Sequence, residues 1–274
     1  SARLAVADIE RMEKISTSGI AMNLYRRVDA DEGTLNFKVY HEGNPVPLSS
    51  IIPMLEHMGL VVIEETPFEI RPTEGSTVWI HDFHVNLEFD WEVDVNAARQ
   101  RFHETFARVW SGEVENDDFN DLVLAGLDWR QVVVLRAYAK YMTQANAPFS
   151  QAYVEATLAA NPALARHLVE LFVVRFDPDN RDDVEGRADT IRADINEELD
   201  QVVSLDQDRI LRRYLNLIEA TLRTNFFQPA EDGEPKSYVS FKFDSQMIDE
   251  LPDPKPWREI FVYSARFEAV HLRG

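Results

Sequence analysis

The sequence predicts an α+β chain: an ACT-like domain of ferredoxin-like βαββα order, then a helical domain, then a few C-terminal β-strands. Three observations carry this reading. Residues Phe83, Val85, Leu87, Phe89, Trp91 and Val93 occupy every second position, with Asp82, His84, Asn86, Glu88, Asp90 and Glu92 between them; this is the two-residue period of a strand with one dry face. From about residue 94 to 228 the apolar spacing turns helical. After the breaker-rich stretch Gln228-Pro-Ala-Glu-Asp-Gly-Glu-Pro235 it returns to alternation.

Taken in order, Leu4, Ile9, Met12 and Ile15 suggest a short leading helix within residues 1–23. The ACT-like domain is expected over 24–112. Leu35-Asn-Phe-Lys-Val39-Tyr-His alternates as a half-buried strand. Leu48 to Met58 reads as a helix, with Ile51, Ile52, Leu55 and Met58 on one face. Pro53 is compatible with it only in the first turn, and Gly59 supplies a left-handed stop. Leu60-Val-Val-Ile63 begins a second strand, the alternating segment above forms a third, and a helix follows from near residue 95 with the stripe Ala98, Phe102, Phe106, Val109. No fourth strand is evident after that helix, so the sheet is expected to be incomplete or completed from elsewhere.

The helical domain is expected over 113–228. Trp129 to Gln144 has only Arg130, Arg136 and Lys140 charged, which predicts burial on most sides. Ser150 suits a cap for the next helix, and Asn161-Pro162 opens another that runs to Phe176. A long amphipathic helix is expected from Asp208 to about Asn225, with Leu222 on its inner face. Asp177 to Asp200 holds ten acidic residues against three Arg and reads as a solvated loop and helix face. Tyr238-Val-Ser-Phe-Lys-Phe243, Glu259 to Tyr263 and Arg266 to Leu272 read as strands opening a truncated domain over 236–274.

Composition narrows the function classes. The 274 residues carry 28 basic and 48 acidic side chains, a net charge of −20. Such a surface repels nucleic acid and anionic lipid. Cysteine is absent, which removes disulfides, thiolate nucleophiles and cysteine-based zinc sites and fits a reducing, cytoplasmic setting. No apolar run reaches the ~18 residues of a membrane span. The chain opens Ser-Ala-Arg-Leu, without an initiator Met or a signal-peptide pattern, and is expected to be a piece of a longer protein.

Motifs for bond-making chemistry are sparse. There is no G-x-G-x-x-G, no phosphate-binding loop and no G-x-S-x-G. His81 and His84 are an odd number of residues apart on one strand and point to opposite faces, while Asp82 and His84 share one; two ligands fall short of a zinc site. The tryptophans, Trp79, Trp91, Trp110, Trp129 and Trp257, read mainly as core. No catalytic residue and no metal ligand is assigned. The one candidate ligand-binding place is the turn at Gly43 and Asn44 leading to a helix start near Ser49, where backbone amides attract a carboxylate. A plain capping turn is the alternative.

Several stretches together resemble one family: Leu48-Ser-Ser-Ile-Ile-Pro-Met-Leu-Glu-His-Met-Gly-Leu60, Val78-Trp-Ile-His-Asp-Phe83, Asp128-Trp-Arg-Gln-Val-Val-Val-Leu-Arg-Ala-Tyr-Ala-Lys-Tyr141, Glu259-Ile-Phe-Val-Tyr263 and Val270-His-Leu-Arg-Gly274. They are similar to the central region of the large bacterial NAD-dependent glutamate dehydrogenases. The resemblance covers about residue 20 to the end. It implies an ACT-like unit, a helical motif and the first strands of a catalytic domain. The family's catalytic lysines and nucleotide domain would follow Gly274. NAD would serve the parent enzyme, with no cofactor in this stretch. The implied partners are the rest of the parent chain, other subunits of a homo-oligomer, and an amino-acid effector. The turn Gly43-Asn-Pro-Val-Pro47 departs from the shorter Pro-Gly or Asp-Gly loop of ordinary ACT domains. The competing function is a stand-alone amino-acid-sensing or adaptor module; a stop codon after Gly274 would favour it, and a gene running on into a glycine- and lysine-rich segment would favour the dehydrogenase.

Overall fold

The computed structural model of the chain describes residues 2–15, 19–27, 33–88, 93–179, 182–249 and 251–274. It divides into two units, residues 1–129 and 130–274.

The first unit contains α1 (Ala2–Met12), β1 (Ile20–Tyr25), β2 (Thr34–Glu42), α2 (Leu48–Glu56), β3 (Leu60–Ile70), β4 (Val78–Leu87) and α3 (Val95–Trp110). The strands form one antiparallel sheet in the order β1-β2-β4-β3. This is the ferredoxin-like arrangement with its edge strand supplied from upstream. The strand missing after α3 is β1, which pairs Leu24 with Phe37. Sequence reading passed over it because Ile20-Ala-Met-Asn-Leu-Tyr25 is short and alternates weakly.

On one face of the sheet, Leu35, Phe37 and Val39 meet Phe83, Val85 and the α3 stripe, with Phe37 edge-on to Phe102 at 5.3 Å and to Phe106 at 5.0 Å. Asp94 caps α3 by accepting the N–H groups of Asn96 and Ala97. β2 is not half-buried as its alternation suggests. Asn36, Lys38 and Tyr40 on its second face are also buried, because α1 lies there and brings Asp8 to Lys38 and Tyr40. β4 ends at Leu87, Val93 is buried but outside any strand, and residues 89–92, the tryptophan at 91 among them, lie outside the described residues.

Pro53 sits inside α2, beyond the first turn. The bond its ring removes is one to the carbonyl of Ser49, an exposed residue of the first turn, so water can replace it. Gly59 takes a left-handed φ of 76° and ends the helical segment as the sequence suggests.

The second unit holds α4 (Trp129–Gln144), α5 (Gln151–Ala160), α6 (Pro162–Phe176), α7 (Val184–Leu199) and α8 (Leu205–Ala220), then β5 (Thr221–Thr224), β6 (Val239–Phe243), β7 (Arg258–Ser264) and β8 (Phe267–Arg273). α4 is buried nearly all round, Arg130 and Arg136 included. Ser150 caps α5 through Tyr153 N–H. Under the acidic run, α7 buries Ala188, Ile191, Ile195 and Leu199 at helical spacing.

α8 stops at Ala220, short of the expected Asn225. The Thr221 hydroxyl bonds the Leu217 carbonyl at 2.7 Å and the Tyr138 hydroxyl at 2.8 Å. The chain then extends, and Thr221 pairs with Phe243. Leu222 therefore lies 42% exposed on a strand instead of inside a helix. β5 adds a fourth strand to an antiparallel meander, β5-β6-β7-β8. Its inner face stacks Phe241 on Tyr138 at 4.3 Å and edge-on to Phe172 at 5.8 Å. Trp257 is 60% exposed beside Arg258, against the core reading.

Candidate functional site

The turn singled out in the sequence is exposed. Gly43 adopts φ 95° and its N–H donates to the Thr77 carbonyl at 2.8 Å. The Asn44 carbonyl meets His41 Nδ1 at 2.9 Å. Ser49 lies in the first turn of α2, whose N-cap is Pro47, with no side chain bonding the terminal amides. Gly43 and Asn44 thus share a turn, and Ser49 belongs to the helix that follows.

Between them Val46 is buried, and its N–H donates to His81 Nε2 at 3.2 Å. Accepting there puts the ring proton on Nδ1, where it goes to Glu65 at 2.8 Å. His81 therefore ties β4, β3 and the loop before α2 together. His84 lies on the other face of the strand, as its spacing requires. Among the described residues no group of three or more His, Cys, Asp or Glu could hold a metal ion.

A titratable cluster lies on the α1 face of the sheet, and sequence reasoning did not assemble it. Lys38 Nζ lies 3.0 Å from Asp8 and 3.8 Å from Asp82. Tyr40 donates to Asp8 at 2.6 Å, and Asn36 and Tyr25 donate to Asp82 at 3.3 and 3.4 Å. Burial pushes the Asp82 carboxyl up, opposed by Lys38 and by the bonds from Asn36 and Tyr25. Burial, then Asp82, holds the Tyr25 phenol well above its ordinary range; burial, then Asp8, does the same for Tyr40. These donors and acceptors serve one another, so the cluster is built to hold α1 against β2. Only the alternation of Asn36 and Lys38 with apolar neighbours could have hinted at it, because Asp8 comes from a different element.

In the second unit a cavity of about 210 Å³ opens between the end of α4, one face of α8 and the loop after β6. Arg209, Arg212 and Arg213 line it, together with Asp249 and apolar side chains. The signal available in the sequence was the spacing of those arginines on an amphipathic helix.

Both sheets are wholly antiparallel, whereas a pyrophosphate site of the Rossmann type needs a parallel βαβ crossover and a glycine-rich turn. No described helix is long and apolar enough to cross a membrane.

Comparison with known proteins assigns the chain in three consecutive pieces. Residues 19–98 match the glutamate dehydrogenase ACT3 domain, 114–178 match glutamate dehydrogenase helical motif 3, and 194–274 match the bacterial NAD-glutamate dehydrogenase catalytic domain. Curated relatives include the NAD-specific glutamate dehydrogenases of Halomonas elongata, 45% identical over all of this chain, and of Pseudomonas aeruginosa, 43% identical over 98% of it. That of Mycobacterium tuberculosis is 42% identical over 98% of the chain. The chain spans 17% of the length of each of these relatives. With its ACT-like sheet, its helices and its C-terminal strands in that order, it belongs to the bacterial NAD-specific glutamate dehydrogenase family, as a segment of such an enzyme.

Proposed function

We propose that this chain is a non-catalytic regulatory and scaffolding segment of a cytoplasmic NAD-dependent glutamate dehydrogenase. The complete enzyme would convert L-glutamate, NAD and water to 2-oxoglutarate, ammonia and NADH. Its partners would be the remainder of the parent chain and neighbouring subunits, with an amino acid as effector. The observation that supports this reading is how the buried polar groups are used. Asp8 with Lys38 and Tyr40, His81 with Glu65 and Val46, and Tyr141 with Glu259 each join separate elements of the fold. Groups spent in this way shape and fasten a body; they are not poised toward a reacting atom.

The test is an assay of NADH formation from glutamate, made with the isolated chain and with the full-length parent. The expected result is turnover only by the parent, with its kinetics altered by substitutions in this segment that leave both units folded. Steady NADH production by the isolated chain would overturn the reading.

A further inference from the structure

The corner between α7 and α8 holds apolar side chains out in solvent on a fixed backbone. Val203 is fully exposed and Leu205 is 71% exposed. Beneath them Gln201 and Val202 donate to the Glu198 and Leu199 carbonyls, and the Ser204 side chain caps α8 through the Gln207 N–H. Val203 directly precedes that cap, where an apolar side chain commonly packs on the fourth residue of the helix. Here the fourth residue is Asp208, which accepts from Arg212 at 2.8 Å. The helix therefore gives Val203 no apolar cover.

A hollow lies on the same side of α8. Leu205, Arg209, Arg212 and Asn216 fall at i, i+4, i+7 and i+11, one stripe of the helix, and the last three line the cavity of about 210 Å³. Their polar groups are engaged within the chain. Arg209 lies 4.0 Å from Asp206, and Arg212 lies 2.8 Å from Asp208 and 3.6 Å from Asp200. Asn216 donates to the Met247 carbonyl and accepts the Asp249 N–H. What the cavity offers a visitor is apolar, from Met142, Leu217, Ile248 and Leu251. That lining suits an aliphatic side chain.

A net charge of −20 makes two copies of the chain repel each other. This stripe is a place where they can touch, because its arginines and aspartates already balance one another. A protrusion and a hollow on one face, offset along one helix, are what a two-fold contact requires: each copy supplies the side chains that fill the other's hollow. Leu205 and Arg213, which also lines the cavity, are equally far from Arg209 along the helix. Antiparallel α8 helices that seat Leu205 beside Arg213 of a second copy thus bring the two Arg209 positions to the axis.

We propose that this face of α8 is a self-association surface, with Val203 and Leu205 of one copy seated in the cavity of a second copy about a two-fold axis near Arg209. The proposal rests on the scaffolding reading above and names the face through which neighbouring subunits meet.

Sedimentation of the whole 274-residue chain over a wide concentration range tests it, and the expected result is a monomer–dimer equilibrium. Leu205→Asp and Val203→Asp change exposed side chains, so both variants should fold, and each should weaken the dimer about a hundredfold or more. The chain has no cysteine, so Arg209→Cys should give a disulfide-linked dimer on mild oxidation, while Glu268→Cys on the exposed strand β8 should link far more slowly. In the full-length parent, Leu205→Asp should weaken subunit assembly. Four outcomes overturn the proposal: a monomer at every concentration, a dimer indifferent to both Asp variants, linkage through residue 209 no faster than through 268, or unchanged assembly of the parent. Such a failure would leave the dehydrogenase-segment reading intact, because turnover measurements decide that separately.

Discussion

Tyr141 on α4 donates its hydroxyl to the carboxylate of Glu259 on β7, 118 residues further along the chain. Both groups are buried, under Phe243 at 4.4 Å and Phe261 at 5.5 Å from the Tyr141 ring. Burial, and then the bond to Glu259, lift the phenol well above its usual range, so it stays protonated and able to donate. The pair fastens a helix of the helical region to a strand matched by the catalytic-domain model.

Tyr141→Phe keeps the ring packing and leaves the buried carboxylate without that donor. The cost should be about 2–3 kcal/mol. Glu259→Gln still accepts the hydroxyl and should cost less. Amide hydrogen exchange reads this locally: protection in β7 and the C-terminal turn of α4 should fall in the Tyr141 variant, while β2 and β4 stay unchanged. Unchanged β7 protection would show that the bond contributes nothing.

His103 makes the first unit acid-sensitive. Its Nε2 accepts the Leu24 N–H at 2.9 Å. Burial, then the Arg99 and Arg11 cations, lower its pKa from 6.5 to about 4. The folded pKa lies below the unfolded one, so between these values the unfolded chain binds the proton and the folded chain does not. Stability should therefore fall as pH drops from about 6.5 toward 4, by about 2–3 kcal/mol from this residue. Urea unfolding at pH 7 and pH 5 should show His103→Gln losing less stability than the parent; equal losses would remove His103 as the cause.

The elements that were legible in the sequence are those whose pattern is local and long. The α3 stripe, the cap at Ser150, the α6 stop at Phe176 and the β6 and β7 alternations depend only on neighbouring residues. What was illegible depends on residues far apart. β1 becomes a strand by pairing with β2, and Lys38 is buried because Asp8 arrives from α1. Thr221 ends α8 because Tyr138 and Phe243 wait for it, overriding an apolar spacing that continues to Leu222. The candidate turn was legible as a turn from Gly43, whereas the α8 cavity needed the loop at Asp249 to complete it.

Gly43 tests that turn directly. At φ 95° an added Cβ meets no atom within 4 Å, so the only penalty is conformational. Gly43→Ala should cost about 1 kcal/mol in thermal unfolding of the first unit. The effect should not extend to α8. A fully neutral substitution would mean that the turn relaxes to a different φ.

The strongest prediction concerns how α1 is held. Its apolar residues Val6 and Ile9 are 56% and 49% exposed, so hydrophobic burial by these two contributes little to its attachment. Polar contacts carry the load: Asp8 to Lys38 and Tyr40, and Arg11 to Asn23 at 3.0 Å. Asp8→Ala removes two of these at once and leaves the Lys38 ammonium with Asp82 at 3.8 Å. The local cost should be about 2–4 kcal/mol. Because the α2 and α3 side of the sheet has its own apolar core, the loss should appear as release of α1, with the sheet still folded. Tryptic cleavage after Arg11 and Lys14 reports that release and should accelerate more than tenfold in Asp8→Ala. Lys38→Met keeps the Tyr40–Asp8 bond and should fall between the parent and Asp8→Ala. Cleavage at the parental rate in Asp8→Ala would mean that α1 is held by something other than this cluster.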